Sequence, residues 1–294
     1  MTIDYIISDT NAAFVRPQGY KFPTGLSYGV IPNIANAAIS TVGGTQTIDG
    51  ANAVHTFTTS DFFIPSFGGS VDALILGGGG GMRGGPGGPA QAAPGAGAGG
   101  AIYFSGLEVK NGHGLYCLIG GGGASQATGG NTQFANTYTA YGGGAPFAPG
   151  GCGGGPGISI QTPFGGSGYG NPGGTHQPNI PTNLNAYGGG GGGIGGSGRP
   201  GPSPGTGGIG LYFTISGANV GYGAGSGGLQ FTSANPPGSN ITQYSPGGAA
   251  YGIGVANRGS GGSGNSPLGN PGQSGVIIVR YELSQNTNNG YFVE

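Results

Sequence analysis

The stretch 72–89 reads D-A-L-I-L, then five glycines, then M-R-G-G-P-G-G-P. An apolar strand here drives straight into glycine, and from Arg83 the other residues fall at every third place: Arg83, Pro86 and Pro89. The spacing returns at Pro146, Pro149 and Cys152, and at Ile194, Ser197, Pro200, Ser203, Thr206 and Ile209. It appears a last time at Asn257, Ser260, Ser263 and Ser266. Three residues per turn is the period of the polyproline II helix, and of neither the α-helix nor the strand.

Such a helix makes no hydrogen bonds to itself, so its N–H and C=O groups must find partners elsewhere. Without a Cβ, neighbouring helices approach closely enough to bond laterally, backbone to backbone. A buried helix must then be glycine on every facing side, whereas a rim helix can carry one other residue per turn. The pattern predicts a bundle of polyglycine II helices.

With 78 Gly and 22 Pro, about a third of the 294 residues are of these two types, a proportion usual in low-complexity or disordered chains. The 15 Tyr, the 13 Phe and a charged fraction of only 5% point the other way, since disordered chains are typically charged and poor in aromatics. Long glycine runs and loops also break the strict repeat that a collagen triple helix requires. Each glycine loses roughly 0.5–1 kcal/mol more than alanine on ordering. A cooperative lateral hydrogen-bond network is the means of ordering such a chain.

The net charge is −1, and between Lys110 and Arg258 the only charged residue is Arg199. Nucleic-acid binding needs a basic footprint, which is absent from the sequence. No apolar stretch of about 20 residues exists to span a membrane. The start, MTIDYIISDT, lacks the basic and apolar regions of a secretory signal, which implies synthesis in the cytoplasm. Cys117 and Cys152 allow one disulfide at most and read as two free thiols.

The chain divides into residues 1–50, with short apolar runs among Asn, Pro and Gly; a glycine-rich domain, 51–283; and a C-terminal tail, 284–294. Residues 53–64 read as a β-hairpin, 71–76 as a strand, and 101–109 with 115–119 as a hairpin about Asn111–Gly112. Residues 275–281 form a last β-branched strand. The expected fold is mainly β and irregular, a small β cap with a polyglycine II helix bundle and apical loops. Those loops are rich in Asn, Thr, Ser, Tyr and Phe, the composition of adaptable binding surfaces.

The ordered series H-T-F-T-T-S-D-F-F-I-P, V-D-A-L-I-L-G-G-G-G-G, G-A-G-G-A-I-Y-F, G-L-Y-C-L-I-G-G-G-G, G-G-N-T-Q-F, T-A-Y-G-G-G and S-G-V-I-I-V-R-Y covers about 54–281. It resembles the glycine-rich domain of bacteriophage tail-fibre and receptor-binding proteins. The resemblance implies a polyglycine II sandwich whose loops touch a host surface receptor, either a polysaccharide or an outer-membrane protein. Carried onto this sequence, the loops 131–138, 175–187 and 229–244 would hold the receptor contacts, with Phe134, Tyr138, His176, Asn179, Tyr187, Phe231 and Tyr244 as candidates. It further implies a virion protein, made in the host cytoplasm and docked on other tail-fibre or baseplate proteins through residues 1–50. Fibre proteins are often homotrimers; with no heptad visible, that symmetry would come from residues 1–50 or a partner.

No cofactor or metal is expected. The glycine run after 76 satisfies G-x-G-x-x-G, but no helix pattern follows and the first acid beyond Asp72 is Glu108, so the dinucleotide fingerprint fails. A glycosidase needs two carboxylates some 5–10 Å apart. Asp61, Asp72 and Glu108 are the available set, at strand ends, and an enzyme is not expected. His55 and His113 read as structural or solvated, and Arg199 as a solubility charge or a receptor contact. Two other functions share such a scaffold. One is a capsid decoration or head-fibre protein without host binding. The other is an ice-binding protein, for which Ser260, Ser263 and Ser266 would supply a face of small residues.

Overall fold

A computed structural model describes residues 41–82, 94–155, 167–175, 185–200, 205–228, 230–232, 256–262 and 270–287. The chain divides into two compact units, Met1–Thr41 and Val42–Glu294. The second unit is nearly all β and irregular, as the sequence predicts.

Its cap is built on a six-stranded antiparallel sheet. In spatial order this comprises β1 (Thr45–Asp49), β2 (Asn52–Phe57), β14 (Val276–Glu282), β4 (Gly69–Leu76), β5 (Ala101–Val109) and β9 (Ser167–Tyr169). A four-stranded sheet of β3 (Asp61–Phe63), β6 (Leu115–Leu118), β7 (Thr132–Phe134) and β8 (Tyr138–Ala140) covers one face. A hairpin of β11 (Leu211–Phe213) and β12 (Val220–Tyr222) packs on the other.

The two-residue period of β14 explains why it is central. Ile277, Val279 and Tyr281 enter one core with Phe57, Phe63, Phe67 and Phe134, while Val276 and Ile278 enter a second with Leu74, Leu76, Tyr222 and Cys152. A strand buried on both faces must be apolar throughout, which G-V-I-I-V satisfies.

Two expected hairpins do not form. β2 pairs with β1 and β14, whereas β3 pairs with β6. Likewise Asn111 and Gly112 do make a turn, yet β5 belongs to one sheet and β6 to the other. In both places the chain crosses between the layers, so that Phe57 and Phe63 fill one core from opposite sides. The sheet also begins at Thr45, inside the stretch the sequence assigns to the N-terminal region. At the other end a 3-10 turn, Leu283–Thr287, brings the Gln285 amide onto Ser70, accepting its N–H at 3.1 Å and donating to its C=O at 3.0 Å.

The strands continue directly into glycine. In the run 77–82, Gly77 and Gly80 donate to Gly100 and Gly97, Gly78 and Gly81 to Gly130 and Ala127, and Gly79 and Met82 to Gln273 and Asn270. Its carbonyls at Gly78, Gly79 and Gly80 accept from Gly143, Gly123 and Gly262. Three donor directions repeating every third residue, with three acceptor directions between them, place one three-fold helix among six neighbours.

The run 188–193 is enclosed in the same way. Gly190 and Gly193 donate to Arg199 and Gly196, Gly191 to Ser226 and Gly192 to Gly153; carbonyls 188–192 accept from Gly205, Gly95, Gly174, Gly208 and Ala98. The run 94–100 lies between these two and bonds to both. None of the glycines at 77–81, 95–100 or 188–193 has positive φ. Their requirement is the missing Cβ: one built on Gly77, Gly78, Gly79, Gly80 or Gly81 would overlap a neighbour's backbone carbonyl. One rim run behaves as the period predicts, whereas Cys152, Ile194 and Ser260, at the same spacing, are buried. In 205–210, Gly205, Gly207, Gly208 and Gly210 are buried while Thr206 and Ile209, three apart, face outward.

Candidate functional site

The bundle has a cap end and, among the described residues, a free end. Ile194, which follows the run 188–193, packs with Leu74 and Leu76 of the cap, so Gly188 lies at the opposite end. Six residues at about 3.1 Å each separate the two by roughly 19 Å. Gly205 donates to Gly188 and Gly228 donates to Gly205, which defines a rim at the free end.

From this rim rises a two-stranded ribbon of β10 (Asn185–Tyr187) and β13 (Gln230–Thr232), in the register Asn185↔Thr232, Ala186↔Phe231 and Tyr187↔Gln230. The pairing is antiparallel, so the chain before Asn185 and the chain after Thr232 leave from adjacent points. Two loops predicted separately from sequence are thereby joined at the apex. Tyr187 and Phe231 occupy the ribbon backbone; His176, Asn179 and Tyr244 lie outside the described residues.

The third predicted loop is different. Residues 131–138 form most of a tight hairpin of the cap, with Ala135 and Asn136 at φ of 56° and 55° and a Thr137 N–H to Phe134 C=O bond of 3.2 Å. Phe134 is fully buried in the first core, and the half-buried Tyr138 packs on Phe104 with ring centroids 4.5 Å apart. The core takes both rings, so neither is an apical contact. Polar neighbours in N-T-Q-F-A-N-T-Y gave no sign of this inward role.

The structure places at the free end two aromatic- or amide-bearing turns that sequence reasoning passed over. Ala124–Ala127 and Ala145–Ala148 are each closed by a 2.9 Å bond from the last N–H to the first C=O. Their third residues, Gln126 and Phe147, stand at φ of 61° and 67°. The signal was legible at 145–148, where proline precedes the third position as in type II turns.

Other candidates are accounted for by structure. Asp61 accepts the N–H of Phe62 at 2.8 Å and of Gly44 at 3.3 Å, and Asp72 accepts that of Gly106 at 3.1 Å, where β4 and β5 slip register. His55 is buried, with Nδ1 2.7 Å from the Gly43 carbonyl and Nε2 3.2 Å from the Tyr281 hydroxyl. Burial lowers its pKa, and the bond to Gly43 opposes this. Cys117 and Cys152 are buried free thiols whose pKa values burial pushes up to about 12. Ser260 is fully buried, which removes it from any exposed serine face. Among the described residues, no three His, Cys, Asp or Glu side chains converge as a metal would require, and no helix is long and apolar enough to cross a membrane.

No curated protein matches the chain. A family model described as a glycine-rich domain matches residues 54–282, from β2 through β14. That span holds the second core, nearly all of the first and the helix lattice of the described residues, and the chain belongs to this glycine-rich domain family.

Proposed function

We propose that the protein is a bacteriophage virion component, a tail-fibre or receptor-binding adhesin that recognises the host surface through apical segments on a rigid polyglycine scaffold. The reading rests on the β10–β13 ribbon. It gathers the chain before Asn185 and after Thr232 at the end of the bundle away from the cap. A hydrogen-bonded frame itself loses little freedom on binding, which limits the cost of association. No catalysis is invoked. Residues 1–50, which include β1 of the cap, would carry the connection to other virion proteins, with Met1–Thr41 as the separate unit.

The test is adsorption of the purified protein to host cells, alongside versions with 176–184 or 233–244 exchanged. Saturable adsorption lost on exchange is the expected result. A folded protein that shows no adsorption would favour capsid decoration instead.

A further inference from the structure

Lattice glycines are used where a Cβ cannot fit, yet the two apical turns do the reverse. The third position of a type II turn favours glycine because φ is positive there. Gln126 and Phe147 hold these positions, at 61° and 67°, in a chain with 78 glycines. For a bulky residue such a φ is a true outlier. The ring of Phe147 does not repay the strain by packing, since the residue is 64% exposed; Gln126 is exposed as well. Strain kept at an exposed tip points to a use for the side chain.

The two turns lie side by side. The runs that lead to them are neighbours, with Gly129 donating to Gly143 at 2.9 Å and Gly142 to the Asn131 side-chain oxygen at 2.9 Å. Gly81 donates to Ala127 and Gly143 to Gly78, so the chain at both turns borders the central run 77–82. Ser125 is anchored there, its hydroxyl donating to the Met82 carbonyl at 3.2 Å.

We infer that these turns form a binding site for an uncharged glycan, with Phe147 as the stacking platform and Gln126 as the hydrogen-bonding group. A sugar's C–H face carries positive partial charge and meets the negative face of an aromatic ring. The amide both donates to and accepts from hydroxyl groups. Neither turn carries a charge. Two four-residue turns are also far smaller than the roughly 800 Å² per partner of a standard protein interface. The inference deepens the adhesin reading and rests on the free end being the binding end.

The test titrates the full chain with a neutral glucan, mannan, galactan and N-acetylglucosamine oligomer by calorimetry, and scores cell adsorption in parallel. One of these sugars should bind, and Phe147→Gly should weaken it at least about tenfold, as loss of a stacking ring does. The same variant should hold or raise the thermal midpoint, since glycine adopts this φ without strain. Phe147→Asn, a residue tolerant of the left-handed region, serves as a second variant. Unchanged affinity in both variants overturns the site. So does adsorption to cells with none of the four sugars binding, which would leave the adhesin reading standing with a protein receptor. Sugar binding that depends on Phe147 without cell adsorption would keep the site and remove the adhesin reading.

Discussion

Ser226 and Ala96 exchange three hydrogen bonds in the interior of the lattice. The Ala96 N–H donates to Ser226 Oγ at 2.7 Å, and both the N–H and the hydroxyl of Ser226 point at the Ala96 carbonyl, at 3.0 and 3.2 Å. A side-chain oxygen here does the work that a backbone carbonyl does elsewhere in the bundle, at a fully buried position. Ser226→Ala should therefore cost about 1–3 kcal/mol, the penalty for orphaning a buried donor. Denaturant unfolding checks this; a loss under a few tenths of a kcal/mol would mean water replaces the hydroxyl.

Two glycine-to-alanine changes should behave in opposite ways. A Cβ on Gly79 overlaps the backbone of Ser260, whereas one on Gly121 meets nothing within 4 Å. Backbone cannot rotate aside as a side chain can. Gly79→Ala is expected to cost about 3 kcal/mol or more, at the upper end for overpacking. Gly121→Ala should be neutral or stabilise by up to about 1 kcal/mol through its effect on the unfolded chain. Thermal midpoints of the pair decide the point.

Stability should fall in mild acid through His55. Burial lowers its folded pKa below the ordinary 6.5, so the unfolded chain takes up the proton first. The contribution is fully present above pH 6.5 and is lost as pH drops through the folded value. Facing His55 are the Gly43 carbonyl and the Tyr281 hydroxyl, with Phe63 edge-on at 5.4 Å. Midpoints measured from pH 8 to pH 5 should slope downward in the natural protein and less so in His55→Gln.

Both thiols should be silent in the native state. Cys117 and Cys152 are buried, with pKa values pushed up to about 12, so little thiolate exists at pH 8. A thiol reagent such as Ellman's should titrate two groups in denaturant and none within minutes natively. Rapid native labelling of either would contradict the packing described.

The three-residue period identified the interior run 77–81 and the rim run 205–210, whereas Cys152, Ile194 and Ser260 keep the same spacing and are buried, because the neighbours around a run also decide its place. Thr206 and Ile209 face outward as that spacing requires, and the five glycines after Leu76 are enclosed on all sides. The β-branched run at 276–279 likewise announced a strand, which the structure buries on both faces. Less legible was the run 94–100, where Ala96 and Ala98 are fully buried among glycines.

The sequence by itself thus determined the kind of local structure, because glycine spacing and strand alternation act over three or two residues. It also determined the near-absence of charge across the bundle. Only the tertiary structure decided which segments meet. β2 finds β14, with Thr56 opposite Ile278, and β10 finds β13 across some 45 residues. Phe134 enters the core while Phe147 stays out, although both follow polar or turn-forming neighbours. Backbone donors and acceptors are alike at every glycine, so their spacing says that partners exist without saying which. The choice falls to the side chains of the two cores, which fix the strands and through them the order of the helices.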